Sequence, residues 1–314
     1  MSQSFNQQLV NDLADMIDAA PDPLPDGRTC AGLVLIAHGY DTKITGEPGW
    51  TGYMQQSIIH RLRSHGRAGC LRVRRSHDTG WKVDLEWLEP HPADPSDCEC
   101  FLRVDWTAVA NHLIHPVSTG WLAQILMTSL MDHQSELPDP GRHPIHLIGH
   151  SRGASLVCEM AALFGQQGIF VDQVTTLDPH PLTADDPQPP LRPAVEDAAV
   201  RRHPCIRFMD NYWQDIAYPR GQAVSGAFNH AWHHLPDGYH GTLHSAFADH
   251  MNVILAYQAT ISDRLPIHNE EARLDAATLE RWCKENNLAE LPPGYRFSQA
   301  VEPELRRSVG QPVI

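Results

Sequence analysis

The chain has 314 residues, 42% hydrophobic and 20% charged, so it is neither disordered nor fibrous and can bury a large core. A formal net charge of −14 removes the cationic face that general nucleic-acid binding or docking on anionic lipid requires. The longest tidy apolar run, Leu33 to Ala37, is far short of the ~20 residues that span a bilayer.

Met1 to Asp26 lacks the basic start and apolar stretch of a signal peptide and carries Asp12, Asp15 and Asp18. A cytoplasmic location is therefore expected, with secretion left open. Leu9, Leu13, Met16 and Ile17 fit a short amphipathic helix, and Pro21 to Arg28 reads as a linker. Gly32 to Ala37 is almost continuously apolar and ends at His38-Gly39, the pattern of a buried parallel strand. Helical spacing runs from Tyr53 through His65. Val83 to Leu88 alternates and predicts an extra or edge strand, and Phe101 to Trp106 predicts another strand. Trp121 to Leu130 reads as a buried helix. Then come Ile145 to Ile148 (strand), Arg152 to Phe164 (helix), Phe170 to Leu177 (strand), Cys205 to Met209 (strand) and Met251 to Ile261 (helix). Two long segments, Pro179 to Pro204 and Asn211 to Asp249, read as irregular, and loops of such length commonly carry function. Asp275 to Asn286 predicts one more helix with Asp275 as its N-cap.

Strands alternating with helices of this length imply an α/β fold, a mostly parallel sheet covered on both faces. The expected organisation is an N-terminal helix and linker over 1–30, a catalytic domain over 31–262, and a helical tail over 263–314 packed on that domain. Seven cysteines, Cys30, Cys70, Cys98, Cys100, Cys158, Cys205 and Cys283, are odd in number and widely spread, so most are expected to be free buried thiols.

The strongest chemical signal is Gly149-His150-Ser151-Arg152-Gly153, with an apolar strand before it and a helical pattern after it. That is the context of a nucleophile elbow, a tight turn that lifts a serine hydroxyl above the sheet and needs glycine where a side chain would strike neighbouring chain. A serine needs a base, and the base an orienting acid. Asp178 and Asp210 each follow a predicted strand and compete for the acid. Asp178 is favoured by Pro179, which fixes the chain leaving it, while Asp210 reads as loop-shaping. His250, placed in a loop at the start of a helix, is the candidate base, with His244 the alternative. The oxyanion donors expected are the backbone N–H groups of Arg152 and of Tyr40 in the His38-Gly39-Tyr40 turn. His38, His150, Tyr212 and Trp213 are candidate pocket residues. Six of the 20 histidines, His230, His233, His234, His240, His244 and His250, crowd one segment, yet no familiar zinc pattern emerges, so no metal and no cofactor is expected.

From Leu33 to Thr260 the chain resembles the pancreatic and lipoprotein lipase family within the α/β-hydrolases. The resemblance lies in LIAHGYDTK followed by Trp50, CFLRVDW, HLIGHSRGA, VTTLDPHP and DHMNVILAY, in that order. It implies an α/β-hydrolase fold with Ser151 as nucleophile, Asp178 as acid, His250 as base, and Tyr40 and Arg152 at the oxyanion. Three features depart from the family. Arg152 stands where an apolar residue is usual. Cys205 alone lies between Asp178 and His250, so no disulfide can close a lid there. The residues after Ile261 are too few for the family's lipid-interacting β-sandwich. The expected activity is hydrolysis of a small-molecule or lipid ester through an acyl-enzyme. The alternatives are an acyltransferase or phospholipase with the same triad, or a non-catalytic binding protein on this fold. Oligomeric state is left open.

Overall fold

The computed structural model describes residues 32–40, 47–62, 67–76, 80–88, 99–110, 117–141, 143–183, 196–233, 235 and 247–261. The predicted N-terminal helix, the linker and the helix over 275–286 lie outside the described residues, as do Cys30, Cys98 and Cys283.

In chain order the elements are β1 (Leu33–Ala37), α1 (Gly49–Leu62), β2 (Arg67–Ser76), β3 (Gly80–Trp87), β4 (Cys100–Asp105), α2 (Thr119–Asp132), β5 (Ile145–His150), α3 (Arg152–Gln166), β6 (Val171–Leu177), β7 (Ile206–Gln214), β8 (Phe228–Trp232) and α4 (Ala248–Ile261). The strands form one eight-stranded sheet in the order β3-β2-β4-β1-β5-β6-β7-β8. All neighbours are parallel except β2 and β3, so the expected α/β-hydrolase fold is present.

The continuous apolar reading of β1 has a simple cause: both its faces are covered. Leu33, Leu35 and Ala37 join a core with α2 and α3, including Leu122, Leu126, Leu156 and Met160. Val34 and Ile36 face the other way, onto Trp50, Met54 and Ile58 of α1 and Val253 to Tyr257 of α4. β1 is also where the strand order reverses: the chain goes out to β2 and β3, comes back to β4 beside β1, and then crosses to β5 on the other side of β1. Ligand crevices of open α/β sheets form at the carboxyl ends of the strands at such a point.

Two strands escape the sequence reading. β2 carries Arg72, Arg74 and Arg75 and is assigned to no element from the sequence. In the sheet Arg72 bonds Glu86 and Asp105, and Arg74 pairs with Asp84 and Glu86, while Leu71 and Val73 point into the core. The edge role predicted for Val83 to Leu88 holds, and its alternating charges suit an edge. Asn211 to Asp249 is not irregular throughout: β7 runs on to Gln214, and β8 occupies 228–232. Cys70, Cys158 and Cys205 are free, buried thiols, Cys100 is buried as well, and burial pushes Cys70 and Cys158 up to about 12. None of the described helices is long and apolar enough to cross a membrane.

Candidate active site

Ser151 sits between β5 and α3 at φ 56° and ψ −123°, and its side chain is buried. For a non-glycine residue this backbone costs on the order of 1–3 kcal/mol, so the surroundings must hold it. They do so from three sides. The Ser151 N–H donates to Leu177 O at 2.9 Å, and its carbonyl accepts from Ala154 N at 3.1 Å. A Cβ on Gly149 would lie 2.2 Å from Gly153 O, and one on Gly153 would lie 2.5 Å from both Ala37 O and His38 O. The collision expected at both glycines is therefore a matter of strand end, turn and helix start packed backbone to backbone. The loop after β1 presses on the same spot, since a Cβ on Gly39 would fall 2.4 Å from Ser151 Cβ and 3.0 Å from its Oγ.

Among the described residues, Asp178 is the other non-glycine residue at positive φ, 43°. Its N–H donates to Tyr212 O at 2.7 Å, which holds it just past the end of β6. Nδ1 of His250 lies 2.5 Å from Asp178 Oδ2. With the carboxylate accepting, the proton sits on Nδ1 and the Nε2 lone pair is left to accept. His250 is not in a loop. It is the third residue of α4, which begins early because Ala248 favours helix and Asp249 meets the positive end of the dipole. Its carbonyl accepts from His150 Nε2 at 3.0 Å, and the two rings lie 4.4 Å apart, tilted at 45°. His180 closes in at 6.3 Å. Burial raises Asp178 to about 7 and lowers His250 to about 3, with His180 adding to the latter. Each group thus resists charge by itself, and contact between them is what makes the imidazolium–carboxylate form attainable.

The turn after β1 is braced from below. His38 is fully buried, accepts Trp106 N at Nε2 (3.3 Å), contacts Gly39 O through Nδ1 (2.8 Å) and stacks on Trp106. Those partners put the His38 proton on Nδ1. The Tyr40 ring is 45% exposed, directly after Gly39. Arg152 opens α3, where N–H groups lack helical acceptors. Its unexpected side chain has a structural task. It is buried, forks onto Asp197 at 2.7 and 2.8 Å, and donates to Ala110 O and Val117 O. Asp197 also accepts Leu182 N and Thr119 N, so one ion pair ties the stretch leading into α2 and the connection between β6 and β7 to the start of α3.

Residues 33–304 match the family described as the alpha/beta hydrolase family. The chain belongs to that family. No curated protein matches this hydrolase. Among solved structures it is similar to a proposed cell surface hydrolase from Lactobacillus plantarum WCFS1, at 9% identity and a TM-score of 0.40, over 82% of this chain and 98% of the other. A proposed carboxylesterase from the same organism is similar at 11% identity and a TM-score of 0.28, over 86% of this chain and 91% of the other.

Other candidates in the hydrolase fall elsewhere. Asp210 does not shape a loop: it lies inside β7, fully buried, accepting Thr175 Oγ1 at 2.6 Å and Gln173 Nε2 at 3.2 Å. Burial raises it to about 7. Because that is above the ordinary carboxyl value, its contribution to stability is full below about pH 4 and fades as pH rises through about 7. Asp210→Asn is expected to cost about 0.5–3 kcal/mol of stability, more at pH 5 than at pH 8, with turnover nearly unchanged. Denaturant unfolding at the two pH values checks this, and an equal loss at both would refute the buried-proton account. Tyr212, a candidate for the pocket wall, is instead core, packed on Tyr257 and His230 beneath α4. Trp213 points to the opposite face and is half-buried. His244 lies outside the described residues. Of the crowded histidines, His230 packs edge-on against Trp232 and His233 meets Asp215, and no cluster of three metal-ligating side chains occurs among the described residues. Asp197, His180 and Gln214 were not singled out in the sequence. Their partners are distant in the chain, and no local pattern marks them.

Proposed function

We propose that this hydrolase is a lipase-like serine carboxylic-ester hydrolase, with Ser151 as nucleophile, His250 as general base and Asp178 as acid. The observation that carries the reading is the His250–Asp178 bond of 2.5 Å, formed at the sheet rim where strained Ser151 stands. His250 Nε2 takes the Ser151 proton as Oγ attacks the ester carbonyl. The N–H groups of Arg152 and Tyr40 receive the tetrahedral oxyanion, and His250 then protonates the departing alcohol. Water activated by the same imidazole releases the acid and restores Ser151. Residues 31–262 form the catalytic unit, and the substrate is a small-molecule or lipid ester.

The test is stoichiometric labelling of Ser151 by a fluorophosphonate, followed by an ester panel graded by acyl length with a Ser151→Ala control. A well-folded chain that takes no label and turns over no ester would overturn the reading.

The pH dependence follows from the pair. Activity needs His250 neutral and Asp178 ionised, and acid adds one proton to the pair as a unit. The acid limb of kcat/KM is expected to carry one proton and to lie near the value of about 7 to which burial raises Asp178, because burial lowers His250 and so favours uptake of the pair's proton on the carboxyl side. A stopped-time assay from about pH 5 to 8 reads it, and a flat profile there assigns the chemistry to another group.

A further inference from the structure

We propose that Gln214 is a positioning residue for the reaction, holding the Asp178 carboxylate and the loop over 215–221 as one unit. The proposal rests on Asp178 being the acid. Gln214 is the last residue of β7 and has no exposed surface. Its backbone N–H donates to Asp178 Oδ1 at 2.9 Å, and its Nε2 to Asp178 Oδ2 at 3.1 Å. Both carboxylate oxygens are therefore gripped by one residue, while Oδ2 also takes His250 Nδ1.

The amide orientation is dictated by its other end. Gln214 Oε1 accepts from Ile216 N at 2.8 Å and Ala217 N at 2.9 Å, so a flipped amide would set donors against donors. Nε2 must then face Ala217 O (2.9 Å) and Pro219 O (2.7 Å) as well as Asp178. An amide has two such protons for these three acceptors, so the charged carboxylate competes with loop carbonyls for them. The loop closes the far side of the acid. A Cβ on Gly221 would lie 2.2 Å from Asp178 Oδ1, and Tyr218 packs edge-on against His180. A residue that merely plugged the core would need none of these polar contacts.

The titratable groups facing Asp178 among the described residues are His250 from α4, His150 from the end of β5 and His180 two residues on, while β7 presents the neutral Gln214. Donors on the carboxylate favour its ionised form against burial. Removing the side-chain donor makes Asp178 harder to ionise, so the acid limb moves to higher pH.

The experiment uses Gln214→Met, which keeps length and removes the donors, and Gln214→Asn, which keeps an amide too short to span acid and loop. The readout is the rate of fluorophosphonate labelling of Ser151 against pH, with kcat and KM on one reactive ester. Both variants are expected to shift the acid midpoint upward by about one unit and to lower kcat about tenfold with KM little changed. A partly folded variant lowers the amplitude of the labelling curve without moving its midpoint, so a purely structural role predicts an unmoved midpoint. Midpoints that coincide with the unsubstituted protein overturn the role of Gln214 and leave the triad standing. If the unsubstituted protein itself takes no label, the triad falls and this inference falls with it.

Discussion

Ser151→Ala is expected to lower kcat/KM for a reactive ester by at least about three orders of magnitude while leaving the fold in place. The magnitude follows from the proposed triad acting as a unit: in that reading, without Oγ there is nothing for His250 to activate, and what remains is binding and the proposed oxyanion donors. The preservation of fold follows from local packing. Alanine keeps the Cβ that touches the Gly39 backbone, and the elbow is held by the Ser151 N–H and carbonyl, which the substitution does not touch. Thermal unfolding alongside the assay separates the two. Turnover that survives in a folded variant would remove Ser151 from the mechanism.

Asp178→Asn is expected to lower kcat by roughly 10⁴. The direction can be worked out from the hydrogen bonds. Gln214 N donates to Oδ1, so an asparagine keeps its carbonyl oxygen there and turns its NH₂ into the Oδ2 position, against His250 Nδ1. Nδ1 must then accept, which moves the imidazole proton to Nε2 and removes the lone pair that would take the Ser151 proton. The site stays assembled in the wrong tautomer. Paired kinetics on Asp178→Asn and Asp210→Asn check the assignment: a large loss at 178 with near-full activity at 210 is the expected contrast, and the reverse would transfer the acid role to Asp210.

How far the chain could be read depended on whether the relevant interaction was local. The turn around Ser151 was legible because all its requirements lie within a few residues: an apolar strand, glycines on either side and a helical pattern behind. The main strands of the centre were legible for the same reason, since double-sided burial leaves continuous apolar runs such as Leu33 to Ala37. β2 was not legible, because its arginines meet Glu86, Asp84 and Asp105 on neighbouring strands and their charge is cancelled only in the sheet. Tyr212 was misplaced in the pocket because an aromatic residue beside a strand end looks the same in sequence whether it faces a cavity or α4.

The sequence by itself determined the α/β class and the strand–turn–helix that carries Ser151, and it narrowed the acid to two aspartates. It also favoured Asp178 of the two; only the tertiary structure gives them different surroundings, and the reason is strand register. β6 and β7 are parallel, with Thr175 opposite Asp210 and Leu177 opposite Tyr212. Asp178 follows Leu177, so it emerges at the rim, where α4 delivers His250 to it. Asp210 lies two residues before Tyr212, within the paired rungs, where Thr175 and Gln173 enclose it. A one-residue view of each strand end cannot supply that offset, because register belongs to the pair of strands and to neither alone.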